Sequence, residues 1–259
     1  LLRHFHYLAF PEMQDDSKRS IFGAILKFWM EQTPGQRELM GPTLSATLRV
    51  YTTILQELLP TPAKTHYTFN LRDLSKVFQG MLMFNPAEIQ SAEDIVLLWC
   101  HENCRVFQDR LVNDKDRLWF GSLLRTSTNL EFKGLLRTDV FGSPRKSSLV
   151  EDEELLYGDF MNKGADVKFY QRIVDMEKLF NTLQEYLQDY NDQSTAPMRL
   201  VLFKDAIAHV CHISRIIRQP QGNALLLGVG GSGRQSLTRL ATFMAESTCF
   251  QIELSKSYG

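Results

Sequence analysis

The chain has 259 residues, 44% of them hydrophobic and 23% charged, with a formal net charge of −1. That length suffices for one large core or two modest ones. The near-neutral balance argues against nucleic acid as the main partner, since a basic stripe would be expected to meet phosphates, and no apolar run approaches the ~20 residues that cross a bilayer.

Four cysteines, Cys100, Cys104, Cys211 and Cys249, fit a reducing compartment and free thiols. The chain opens on Leu1-Leu2 without Met and closes at Gly259. Both ends are expected to continue into a larger protein.

Leu1 to Phe10 is aromatic and apolar and stops at Pro11, the pattern of a strand. Asp15, Asp16 and Ser17 offer N-cap groups to a helix carrying Ile21, Phe22, Ile25, Leu26 and Trp29, which Thr33-Pro-Gly35 ends. A second helix starts after Gly41 with Pro42 in its first turn. Leu44, Leu48, Tyr51, Leu55 and Leu58 line one side of it, and Pro60-Thr-Pro62 stops it.

Asn70 with Asp73 three residues on predicts a capping box, and Leu71, Leu74, Val77, Phe78 and Met81 form the buried face of that helix. Arg72 sits in the first turn, where a cation opposes the helix dipole. Such placement against local preference points to a task elsewhere, although a solvated arginine is the plainer reading. Ser91-Ala-Glu-Asp94 caps a long helix through Leu111. Cys100, His101 and Cys104 lie within about one turn of each other there. No second ligand pair has suitable spacing, so they read as buried side chains and not as a metal site.

The stretch 133–164 reads as an exposed connector, turn-rich at Gly142-Ser-Pro-Arg-Lys-Ser-Ser148 and acidic at Glu151-Asp-Glu-Glu154. Ser147 and Ser148, after Arg145-Lys146, match a kinase target by a pattern that chance often supplies. Asp166 is expected to start a helix with Tyr170, Ile173, Phe180, Leu183, Leu187 and Tyr190 on one stripe. Another is expected from about Arg199, with Leu202, Ala206, Val210, Ile213 and Ile217 inward, and His209 and His212 structural.

Asn223-Ala-Leu-Leu-Leu227 reads as a buried strand, and Leu237 to Met244 as a helix with Leu237, Leu240 and Met244 on one face. Between them lies Gly228-Val-Gly-Gly-Ser-Gly-Arg-Gln-Ser236. Strand, glycine loop and helix form the setting of a phosphate-binding loop, whose amides and helix start face an anion. Against G-x-x-x-x-G-K-[ST], Gly228 and Gly233 are correctly spaced. Arg234 stands at the lysine position and Gln235 at the hydroxyl position. Arginine keeps the charge and can grip phosphate with two nitrogens. Gln235 has no hydroxyl for Mg²⁺, and Ser236 lies one residue on, about 100° round the helix. Nucleotide binding is therefore expected through Gly228, Val229, Gly230, Gly231, Ser232, Gly233, Arg234, Gln235 and Ser236, with Mg²⁺ possible and hydrolysis in doubt. Phe250 to Leu254 reads as a further strand.

Residues 222–240 closely resemble the phosphate loop of the fourth AAA+ module of axonemal dynein heavy chains, where the Arg-Gln-Ser variant is familiar. Residues 58–80 and 98–111 resemble the lid of the third module, and Val201-Leu-Phe-Lys-Asp-Ala-Ile207 the segment before the fourth loop. The resemblance implies a fold that is mainly α with partial α/β. Residues 1–32 would end the third large subdomain, 33–132 form its helical lid, 133–164 connect, and 165–259 begin the fourth module. It implies ATP or ADP at the loop, with Leu200, Val201 and Leu202 near the adenine, and Arg72 reaching the γ-phosphate of the third module's nucleotide. By the same resemblance Arg3 falls near an arginine-finger position, acid and base residues of 98–111 hold the lid together, and the Mg²⁺-binding acids lie beyond Gly259. The implied parent is an ATP-driven motor of cilia and flagella. Its partners would be neighbouring AAA+ modules, the microtubule through other parts, and intermediate and light chains. A helical scaffold with a vestigial glycine loop is the alternative. An isolated P-loop kinase or GTPase is disfavoured by the more than 200 residues before the loop.

Overall fold

The computed structural model describes residues 2–33, 35–136 and 155–252, and the chain divides into two compact units at residues 149/150. The first unit is helical: α1 (Asp15–Gln32), α2 (Met40–Glu57), α3 (Leu71–Leu82), α4 (Ala92–Val106) and α5 (Asp114–Glu131). Helices α3 and α4 begin with the expected local chemistry. Asn70 accepts the Arg72 amide at 2.8 Å while Asp73 accepts the Asn70 amide at 3.0 Å, and Ser91 and Asp94 repeat this reciprocal box. Helix α1 differs from expectation. Gln14 is its N-cap without a side-chain bond, and Asp15 and Asp16 lie inside the first turn, where their charge meets the positive dipole end.

The inward face of α2 is rotated slightly from the expected one. Leu44, Leu48, Tyr51 and Ile54 are buried, whereas Leu55 is exposed. Helix α4 ends at Val106 instead of Leu111, and a 3-10 turn over Gln108–Arg110 follows. No expectation covered α5. Asn113, whose side chain accepts the Asp116 amide at 2.8 Å, with Asp114 and Asp116 behind it, is the local signal that announces that helix.

The first unit's core closes on Trp99, which is fully buried. Its indole donates to Thr47 Oγ1 at 2.8 Å, Thr47 donates on to Thr43 O, and the Phe132 ring stands edge-on at 5.3 Å. A buried indole therefore joins α2 and α4 with its polar handle satisfied. Beside this core, Asp116 Oδ2 accepts from Lys64 Nζ at 2.5 Å and from Tyr67 at 2.8 Å. Desolvation raises the Asp116 pKa, but Lys64 and Tyr67 outweigh it and hold the carboxyl below its ordinary 3.8. A depressed carboxylate adds stability above its unfolded pKa and loses it as pH falls through the folded value. The Asp116→Asn chain is therefore expected to be less stable than wild type at neutral pH. The gap should narrow as pH drops below about 4, in melting curves recorded across pH 2–7.

The expected strand over residues 1–10 is absent. Leu2–His4 form a 3-10 turn, and Phe5, Tyr7, Leu8 and Phe10 are exposed. A strand needs a neighbouring strand to take its backbone bonds, and among the described residues this segment pairs with none.

The second unit holds β1 (Leu156–Gly158), β2 (Gln171–Ile173), α6 (Met176–Gln193), α7 (Lys204–Arg218) and α8 (Arg234–Met244). The strands pair antiparallel, Leu156 opposite Ile173. Its core gathers Leu183, Val210 and Leu240, all fully buried. Three expectations are corrected here. The connector is not exposed throughout, since Leu156, Tyr157 and Phe160 are buried. No helix starts at Asp166: β2 occupies 171–173, and α6 begins only where Asp175 caps the Lys178 amide at 2.8 Å. Helix α7 starts at Lys204, not near Arg199. The hairpin is tied to the helices by polar bonds. Asp159 pairs with Arg218, Arg218 Nη2 donates to Lys168 O at 3.2 Å, and Lys168 Nζ pairs with Glu246 at 2.6 Å. Ser147 and Ser148 lie outside the described residues.

Candidate phosphate-binding site

The glycine loop hangs between two anchored ends of the second unit. Upstream, Gly222 closes the turn after α7, its amide donating to Gln219 O at 3.0 Å. A Cβ at that position would collide with the carbonyl of Ile216, so only glycine fits. Downstream, α8 buries Leu237, Leu240 and Met244 against α6 and α7, the face expected from their spacing.

Two glycines set the loop's path. The Ser232 amide donates to Val229 O at 3.3 Å, and Gly231 sits third in that four-residue turn with φ +79°. A type II turn demands a positive φ at this place. Gly233 is the N-cap of α8 at φ +76°, ψ 1°, the left-handed region. Helix α8 therefore starts at Arg234 with first-turn amides free of side-chain capping, the condition that makes a helix start attractive to an anion.

Arg234 is half-buried, Gln235 exposed and Ser236 half-buried. The guanidinium folds back over the loop, Nη1 reaching Leu226 O at 3.3 Å and Nη2 reaching Val229 O at 3.2 Å. The amides, the helix start and one cation suit a polyphosphate. The loop offers a hydroxyl only at Ser232 and Ser236, and no group of three His, Cys, Asp or Glu side chains among the described residues could hold a metal ion. Cys100 and His101, weighed above as ligands, are both buried in α4, and burial pushes the Cys100 thiol well up.

The run Asn223 to Leu227, expected as a buried strand, pairs with no strand among the described residues, and Leu225 and Leu227 are 84% and 77% exposed. Phe250 and Ile252 are exposed likewise, and the rest of that expected strand lies outside the described residues. Of the three expected adenine neighbours, Leu200 and Leu202 pack against the core while Val201 points outward, 77% exposed. A residue that sequence reading missed fixes this segment. Asn191, at the end of α6, accepts the Met198 amide at 2.7 Å and donates to Met198 O at 3.1 Å. Its partner lies seven residues away across a turn, and no local pattern announces it.

Arg72 and Arg3 belong to the first unit. Arg72 is exposed at the start of α3, and Arg3 is exposed in the N-terminal 3-10 turn. The start of α3 is held by Arg110. Its guanidinium pairs with Asp73 at 3.0 Å, donates to His66 O at 2.9 Å and lies over the Phe69 ring at 4.6 Å. The early end of α4 places Arg110 for this contact.

Comparison with known proteins finds a family match within each unit. A family described as "P-loop containing dynein motor region D4" matches residues 198–259, and one described as "AAA+ lid domain" matches 43–141. Dynein axonemal heavy chain 1 of Mus musculus is 51% identical over 272 residues, covering all of this chain and 6% of that protein. The Homo sapiens heavy chain 1 gives the same figures, and Homo sapiens dynein axonemal heavy chain 6 is 42% identical over 261 residues. The chain thus spans about 6% of the length of these curated relatives.

Proposed function

We propose that this chain, which belongs to the axonemal dynein heavy chain family, contributes a nucleotide-binding loop and a helical lid to an ATP-driven motor ring. The backbone of Gly228, Val229, Gly230, Gly231, Ser232 and Gly233 surrounds the phosphates of ATP or ADP. Arg234 balances their charge, and Gln235 and Ser236 form the first turn of the helix behind them. One observation carries the reading: left-handed Gly233 opens α8 at a cation, directly after a glycine turn. In the first unit, Arg72 is the residue offered to the γ-phosphate of the third module's nucleotide. Residues 33–132 act as that module's lid and 165–259 as the start of the next. The wider setting is a motor on microtubules of the axoneme, with neighbouring modules and accessory chains as partners.

The site's role is regulatory binding, with slow or no turnover, because the position after Arg234 carries an amide in place of a hydroxyl. ATP and ADP should therefore raise the melting temperature of the chain, by about 2.7 kcal/mol of stabilisation at a hundred times Kd. Omitting Mg²⁺ should change Kd less than tenfold. A strong Mg²⁺ requirement would assign the missing hydroxyl to Ser236 and make turnover credible. A folded chain with no nucleotide response would leave the helical scaffold as the function.

A further inference from the structure

We propose that Arg234 is a gate on the phosphate loop as well as a phosphate ligand. The inference rests on the nucleotide-binding reading above and concerns how that site is controlled. Two donors that an anion would use are turned onto the loop itself. The guanidinium holds Leu226 O and Val229 O at 3.3 and 3.2 Å, and the Ser232 amide donates to the same Val229 O at 3.3 Å. Val229 O thus collects two donors from the downstream end of the loop, and Arg234, by also holding Leu226 O, ties that end to the loop's start.

The bare backbone of Gly228 lets the closed loop pack tightly. A Cβ there would lie only 2.9 Å from Ser232 Oγ, while Arg234 Cδ and Nε at 3.5 Å would be in ordinary contact with it. Phosphate entry requires the guanidinium to leave both carbonyls and the Ser232 amide to turn inward. Arginine can do this where lysine cannot, because its planar fork bridges two carbonyl oxygens while an ammonium is a point charge on a flexible stem. The apparent affinity of such a site is its intrinsic affinity multiplied by the open fraction.

The test compares wild type with Arg234→Lys in calorimetric titrations of ATP and of inorganic pyrophosphate. The lysine keeps the charge and removes the bridge. The gate predicts binding about three- to tenfold tighter in Arg234→Lys for both ligands, as the closed fraction disappears. It also predicts faster hydrogen exchange across 226–233 in the variant without ligand. Equal or weaker binding by the variant, with wild type binding, overturns the gate and leaves the nucleotide reading intact. No binding by either protein overturns the nucleotide reading and the gate with it. Should the variant not fold, hydrogen exchange of the wild-type loop decides. A Ser232 amide protected without ligand supports the gate, and an unprotected one overturns it.

Discussion

Valine at position 233 is expected to lower ATP affinity at least a hundredfold. Gly233 holds φ +76°, and no atom lies within 4 Å of a Cβ built on it. The barrier within the protein is therefore conformational. A β-branched residue is a strong outlier in the left-handed region, and such strain costs of order 1–3 kcal/mol. The chain would relieve it by re-routing the residue between the glycine turn and α8. That movement displaces the first-turn amides and Arg234 together. A hundredfold loss corresponds to about 2.7 kcal/mol, at the upper part of that range. Gly121→Ala, outside the loop, is the control, since Gly121 has open space around it and no positive φ. Calorimetric titration should show the valine variant folded, because α8 stays buried, yet without measurable binding. Wild-type affinity in Gly233→Val would refute the loop as the nucleotide site.

Removing the indole of Trp99 is expected to destabilise the first unit by about 3–5 kcal/mol. Trp99 is fully buried, stacks edge-on against Phe132 and donates to Thr47. Alanine would leave a cavity bordered by α2, α4 and the end of α5, whose backbones are held by their own helical bonds and cannot collapse far. Thr47 keeps its own donor bond to Thr43 O, so the loss is mainly of packing. Trp99→Phe should recover much of it. Urea unfolding of the chain gives the number, and a loss under about 1 kcal/mol would mean the first unit's core is not built around this residue.

The parts legible in the sequence share one property: their partners lie within a few residues. The boxes at Asn70/Asp73 and Ser91/Asp94 are bonds three residues long, and they were announced by residue type alone. The stop at Thr33 and the buried stripe of α8 follow in the same way from local turn chemistry and helical period. The glycine pattern 228–233 likewise marked the loop between the expected strand and the helix, where Gly231 and Gly233 adopt left-handed backbone.

Elsewhere the answer lay far along the chain. The apolar runs at 5–10 and 223–227 have the residues of strands, but pairing depends on a neighbour that local sequence does not contain. The connector's turn-rich composition hid β1, whose burial comes from its partner strand and from α7. Arg110 finds Asp73, and Asn191 finds Met198, only after the helices bring them together. The direction of Arg234 belongs to this second group. Its charge and place were readable at once as those of a phosphate ligand. Its bonds to Leu226 O and Val229 O came from the loop's own closure. Short-range hydrogen bonds and glycine's backbone freedom were determined by sequence alone, because their energies are settled within one turn of chain. Strand pairing, buried ion pairs and the resting place of the loop arginine were decided by tertiary structure, because each depends on which distant backbone groups are left to satisfy.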